Sequence, residues 1–168
     1  LIRTLSNNKK EFTKPVNSVL YINPLENNQN ANVTIVTNKL APRMPTSLQR
    51  SLTNEYMIGI YSFDTNQPFI LFKTDDYGGS YAGMLKWEEN IVADIGGLYN
   101  ISQKTGTTSP YVFSDKALRN KDLRVIKDEK GKIIMLYSFI DKNTILITGT
   151  ENIFNAIVGK YLTNAVIR

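Results

Sequence analysis

Apolar and polar positions along this chain change period several times, and each change marks an element. Val16 to Ile22 and Val33 to Val36 are short runs rich in β-branched and aromatic residues around Asn-Pro and Asn-rich turn signals, which predicts a first pair of strands. Pro42 and Pro45 bracket a break, after which Thr46 is expected to cap a helix of one or two turns with Leu48 and Leu52 on one face. Residues 3 to 14 hold Arg3, Lys9, Lys10 and Lys14 among polar residues with little apolar periodicity, and read as a tether or an edge segment.

The segment IGIYSFDTNQPFILFKT (58–74) returns at 134–150 as IMLYSFIDKNTILITGT, with matches at Ile, Tyr-Ser-Phe and the closing Thr. In each copy an apolar strand, a polar turn (Asp64 to Gln67; Asp141 to Asn143) and a second apolar strand predict a hairpin. A helix is expected after each. Tyr81, Met84, Leu85, Ile91, Val92 and Ile95 follow helical spacing in the first copy, and Ile153, Phe154, Ile157, Val158, Tyr161 and Leu162 in the second. Leu123 to Ile126 adds a strand ahead of Lys132 to Phe139, with Gly131 supplying the positive φ of the reversal.

These elements predict an α+β fold, with internally duplicated β-β-α units (about 56–95 and 123–162) forming a mainly antiparallel sheet and helices packed on one face. Superposition of the halves would place Tyr61 on Tyr137 and Phe63 on Phe139. Residues 96 to 122, with Gly96, Gly97, Gly106 and Pro110, are expected to form a long surface loop between the halves. The 168 residues suit one domain.

Composition narrows the chemistry. There is no cysteine, hence no disulfide framework or thiolate metal site, and no histidine, the side chain most used for acid-base work near neutral pH and the commonest transition-metal ligand. The formal charge of +5 raises an acidic partner as a question, but the seven basic residues between Asp115 and Lys132 are interleaved with Asp115, Asp122, Asp128 and Glu129, the pattern of a solvated face. No run of about 18 apolar residues occurs, so this stretch is expected neither to span a membrane nor to open on a secretory signal.

Around Tyr61-Ser62-Phe63 and Tyr137-Ser138-Phe139, within residues 43–92 and 120–154 and less clearly in the first 40, the chain resembles uncharacterised membrane-anchored proteins of candidate-phylum bacteria. The resemblance implies an extracytoplasmic domain held by an N-terminal transmembrane helix and a variable linker outside this stretch. It brings no activity, cofactor or site residue.

Each candidate site has a structural reading beside it. Asp75-Asp76 ahead of Tyr77-Gly78-Gly79 lacks the ligand spacing of a calcium loop and suits a helix N-terminus. Glu88 and Glu89 beside Trp87 point about 100° apart on a helix and cannot flank one bond; Trp87 is expected to be partly buried. Gly78-Gly79-Ser80 lacks the lysine and spacing of a phosphate-binding loop. The Tyr-Ser-Phe hydroxyls fit core packing better than a ligand site, and no nucleophile stands in a motif with a base. Asn32-Val33-Thr34 and Asn100-Ile101-Ser102 match the glycosylation pattern.

No catalytic, cofactor or metal residue is therefore assigned. Three functions remain: a non-enzymatic interaction or structural module of the cell envelope with a protein partner, the preferred reading; an enzyme using carboxylates or Lys alone, which needs a pocket gathering Asp75, Asp76, Glu88 or Lys73; and a nucleic-acid binder, which needs Phe63, Phe72, Tyr137 and Phe139 exposed on the sheet.

Overall fold

In a computed structural model, which describes residues 7, 15–62, 65–101 and 111–166, the chain is built around a seven-stranded sheet. The strands are β1 (Ser18–Ile22), β4 (Leu52–Ser62), β5 (Asn66–Thr74), β6 (Ser114–Leu118), β7 (Lys121–Lys127), β8 (Ile133–Asp141) and β9 (Thr144–Thr148). Their spatial order is β1-β4-β5-β9-β8-β7-β6, and every neighbouring pair is antiparallel. A separate two-stranded ribbon, β2 (Leu25–Glu26) and β3 (Gln29–Asn30), turns through Asn27 and Asn28, both at positive φ. The expected α+β class and antiparallel sheet are present. The two predicted hairpins are β4–β5 and β8–β9, and Gly131 takes φ +78° at the β7–β8 reversal as expected.

Five helices are described: α1 (Val33–Leu40), α2 (Thr46–Ser51), α3 (Tyr77–Trp87), α4 (Ile91–Ile95) and α5 (Glu151–Val166), with a 3-10 turn at Gly96–Tyr99. They do not share one face. Alternation sends Ile58, Ile70, Phe72, Ile145 and Ile147 into a core with Val36, Leu40, Leu48, Met84, Trp87 and Ile91 of α1 to α4. Phe69, Leu71, Leu136 and Leu146 point the other way and meet Ile153, Phe154 and Ile157 of α5. The sheet is thus buried on both sides, and all five residues of β9, Thr144 and Thr148 included, are buried.

This division corrects the duplication. Both hairpins lead into a helix, but Tyr61 belongs to the α5 side while Tyr137 belongs to the side of α1 to α4. The cause is a register shift: Ile126 pairs with Met135 and Lys127 with Ile133, so Ile134 is an extra residue that inverts the alternation downstream. Phe63, the other residue expected to superpose, lies outside the described residues.

Four further expectations change. Val33 to Val36 is not a strand but the start of α1: Asn32 caps it, accepting from Ile35 N at 2.9 Å, and Val33, Val36, Thr37 and Leu40 are buried at helical spacing. Thr46 is the first residue of α2 rather than its cap; Pro45 holds that position, and Leu52 already begins β4. The single helix through Tyr81 to Ile95 is two, α3 and α4, and α3 buries Ser80, Gly83, Met84 and Trp87 while Tyr81 and Leu85 stay exposed. The loop expected over 96–122 contains the 3-10 turn, all of β6 and the start of β7, joined by Arg119 and Asn120, both at positive φ in a two-residue turn; residues 102–110 lie outside the described residues.

Candidate functional site

Tyr77, Tyr81 and Leu85 recur every four residues along one flank of α3, and all three are exposed, at 45%, 42% and 38%. Phe139 of β8 lies beneath the two tyrosines. Its ring meets Tyr77 edge-on at 5.0 Å and Tyr81 at 5.9 Å, and the two tyrosine rings stack at 6.0 Å. The helix is pinned in this position from below. Asp76 caps it, its Oδ1 accepting from Gly79 N at 2.9 Å, and Ser80 Oγ sits between Ser51 Oγ (2.7 Å) and Thr74 Oγ1 (2.6 Å) in a buried hydroxyl cluster. At Gly83 an added Cβ would stand 2.6 Å from Leu48 Cβ, so the absence of a side chain lets α3 cross α2 closely.

The same flank ends at Glu88. Arg124 of β7 forks onto it, Nε to Oε1 at 2.8 Å and one terminal nitrogen to Oε2 at 2.7 Å, and gives the other to Asp115 of β6 at 2.8 Å. Tyr137 donates its hydroxyl to Glu88 Oε1 at 2.6 Å. Burial pushes the Tyr137 phenol well above its ordinary range, and the hydrogen bond to Glu88 pushes it further. The Glu88 carboxylate likewise holds the Arg124 guanidinium more firmly protonated. Every arm of this network is engaged within the protein, and it clamps α3 to β7 and β8. Trp87 is wholly buried rather than partly so, donating Nε1 to Asp94 Oδ2 at 2.9 Å, and Asp94 also accepts from Arg43 N.

On the other face a second polar group forms around Lys73. Its Nζ donates to Tyr161 Oη at 2.6 Å and to Thr144 Oγ1 at 2.9 Å, and Tyr161 donates on to Asp141 Oδ2 at 3.0 Å. Partial burial alone would raise the Asp141 carboxyl. The Asn143 N–H, the Thr144 and Tyr161 hydroxyls and the Lys73 charge outweigh it and hold the carboxyl below its ordinary value.

The residues weighed from sequence are therefore dispersed. Glu88 belongs to the α3 network, Lys73 to the α5 face, Asp76 to a cap, and Asp75 and Glu89 are exposed, so no pocket gathers the carboxylates with Lys73. Gly79 N is spent on Asp76 instead of facing an anion. Asn32 is a helix cap; Asn100 adopts a left-handed conformation after the 3-10 turn, and its Ser102 lies outside the described residues. Of the four aromatics named for nucleic-acid binding, Phe72 and Tyr137 are buried, Phe139 is half-buried and Phe63 lies outside the described residues.

The charge run from Asp115 to Lys132 is not uniformly solvated. Arg124 keeps 22% of its side chain exposed inside the Glu88 network, and Lys116 pairs with Glu151 of α5 at 2.5 Å. What marks Arg124 in the sequence is a charge set between Leu123 and Val125 in an otherwise apolar strand. Among the described residues no cluster of three or more acidic side chains could hold a metal ion, and no helix is long and apolar enough to cross a membrane. No family model matches the chain, and neither curated proteins nor solved structures provide a match.

Proposed function

We propose that this domain is a non-enzymatic interaction module of the cell envelope, and that the flank of α3 is where a partner protein docks. The observation that carries the docking site is the aromatic group of Tyr77, Tyr81 and Phe139 with Leu85: two tyrosines and a leucine left in water along a helix whose other side is fixed by capping, close packing and the Arg124–Glu88 fork. Rigid aromatic side chains that already touch one another lose little entropy on binding and contribute large contact areas, which is why tyrosine is enriched at interfaces. Asp115, at 89% side-chain exposure, supplies a polar margin at the far end of the strip. Placement in the envelope, outside the cytoplasm and behind an N-terminal anchor, rests on the sequence resemblance alone.

A photo-crosslinking residue at position 81, compared with one at Lys130 in the β7–β8 turn, tests the docking site in cells that make the full-length protein. A discrete adduct is expected from position 81 and none from 130; adducts at both, or at neither, would reject it. The double variant Tyr77→Ser, Tyr81→Ser should abolish an adduct formed from Leu85; loss of the ring contacts with Phe139, about 0.5–1.5 kcal/mol for each pair, should lower the melting temperature while leaving the domain folded.

A further inference from the structure

Lys73 is a half-buried cation whose direct partners are hydroxyls. Its Nζ meets Tyr161 Oη and Thr144 Oγ1 and stands 5.1 Å from the centre of the Tyr161 ring. None of the ion pairs among the described residues includes it; the Asp141 carboxylate acts on it by charge at longer range and through the Thr144 and Tyr161 hydroxyls. An ammonium has three donors, and these two hydroxyls take two of them. Beside this ammonium lies a cavity of about 160 Å³, walled by Tyr56, Met57, Leu71, Thr144 and Tyr161, and Met57 is 40% exposed at it.

We propose that this cavity binds a small apolar monocarboxylate, its carboxylate on the Lys73 ammonium and its hydrocarbon body against Met57 and Leu71. The size follows from the volume, comparable to engineered apolar cavities of about 150 Å³ that accept one benzene. The head group follows from the charges. A single ammonium assisted by two hydroxyls matches one negative charge, no arginine fork is present for a phosphate, and Glu55 on the cavity wall together with Asp141 behind Tyr161 opposes a dianion. The site lies on the α5 face and is independent of the aromatic strip on α3.

Backbone amide NMR titrations with hexanoate, 1-hexanol and inorganic phosphate test this on the intact domain. Hexanoate should give saturable shifts centred on Met57, Leu71, Lys73 and Thr144, with affinity at least about tenfold above 1-hexanol, the gain expected of one charge-assisted hydrogen bond. Phosphate should give none there. Lys73→Met should erase the preference for the carboxylate, and Glu55→Gln should strengthen hexanoate binding by removing a repelling charge. Met57→Trp fills the cavity with Lys73 intact and should abolish binding, so the test stands even if Lys73→Met does not fold. Equal affinity for hexanoate and hexanol, an absence of saturable shifts, or undiminished binding by Met57→Trp would overturn the proposal.

Discussion

Phe154 shows how much one side chain contributes here. It is 1% exposed and meets the sheet residues that point towards α5, Leu71, Leu136 and Leu146 among them. Phe154→Ala removes that contact and leaves a cavity, and should cost about 3–5 kcal/mol, a large share of the roughly 5–15 kcal/mol that holds a domain together. On the same helix Asn155 is half-buried and lines a groove with Val19 and Tyr21, whereas Asn152 is exposed. Asn152→Ala should stay within about 0.5 kcal/mol. Urea denaturation of the two variants checks both values, and equal effects would contradict the packing of α5.

Among the elements, the two glycine-bearing helices respond oppositely to the same substitution. A methyl at Gly83 would press on Leu48 across the α2–α3 crossing, so Gly83→Ala should destabilise by about 1–3 kcal/mol despite its better helix propensity. At Gly159 of α5 an added Cβ meets nothing within 4 Å, so Gly159→Ala should stabilise by about 0.5–1 kcal/mol. Thermal melts of both variants decide the matter. The strands were legible wherever apolar runs ended at Gly, Asn or Pro, as in both hairpins and the β7–β8 reversal. The start of α1 was not, because Val33, Ile35 and Val36 favour strand by local preference, and only tertiary burial of Val33, Val36, Thr37 and Leu40 reveals the helical period. The Tyr-Ser-Phe likeness is real in sequence, yet one extra residue at Ile134 turns its second copy over, and such a bulge leaves no mark in the apolar pattern. The aromatic strip escaped for a related reason. Tyr81 and Leu85 read as core residues, and which flank of α3 is buried depends on the close approach at Gly83, a contact with distant Leu48.

For the molecule as a whole, burial of phenols sets an alkaline limit. Burial holds Tyr99 and Tyr137 far above their ordinary pKa of 10.0 when folded. Their contribution is therefore fully present below about pH 10 and is lost as pH rises beyond it, because the unfolded chain then releases protons that the folded chain retains. Urea midpoints measured upwards from pH 9 should fall above pH 10, with a smaller fall in Tyr99→Phe, whose hydroxyl is only weakly engaged at 3.5 Å from Ile147 O. A different limit follows from the strand order. The central pairing of β5 with β9 joins Phe69 to Thr148 and Lys73 to Thr144, while β6 to β9 pair with their chain neighbours. During synthesis β5 therefore emerges long before its second partner exists, and its apolar strand edge must wait unpaired until residue 148 has left the ribosome. Late closure of so distant a pair slows folding and leaves the nascent first half open to mispairing, so the seam at the centre of the finished sheet cannot close before the strands beside it have been made.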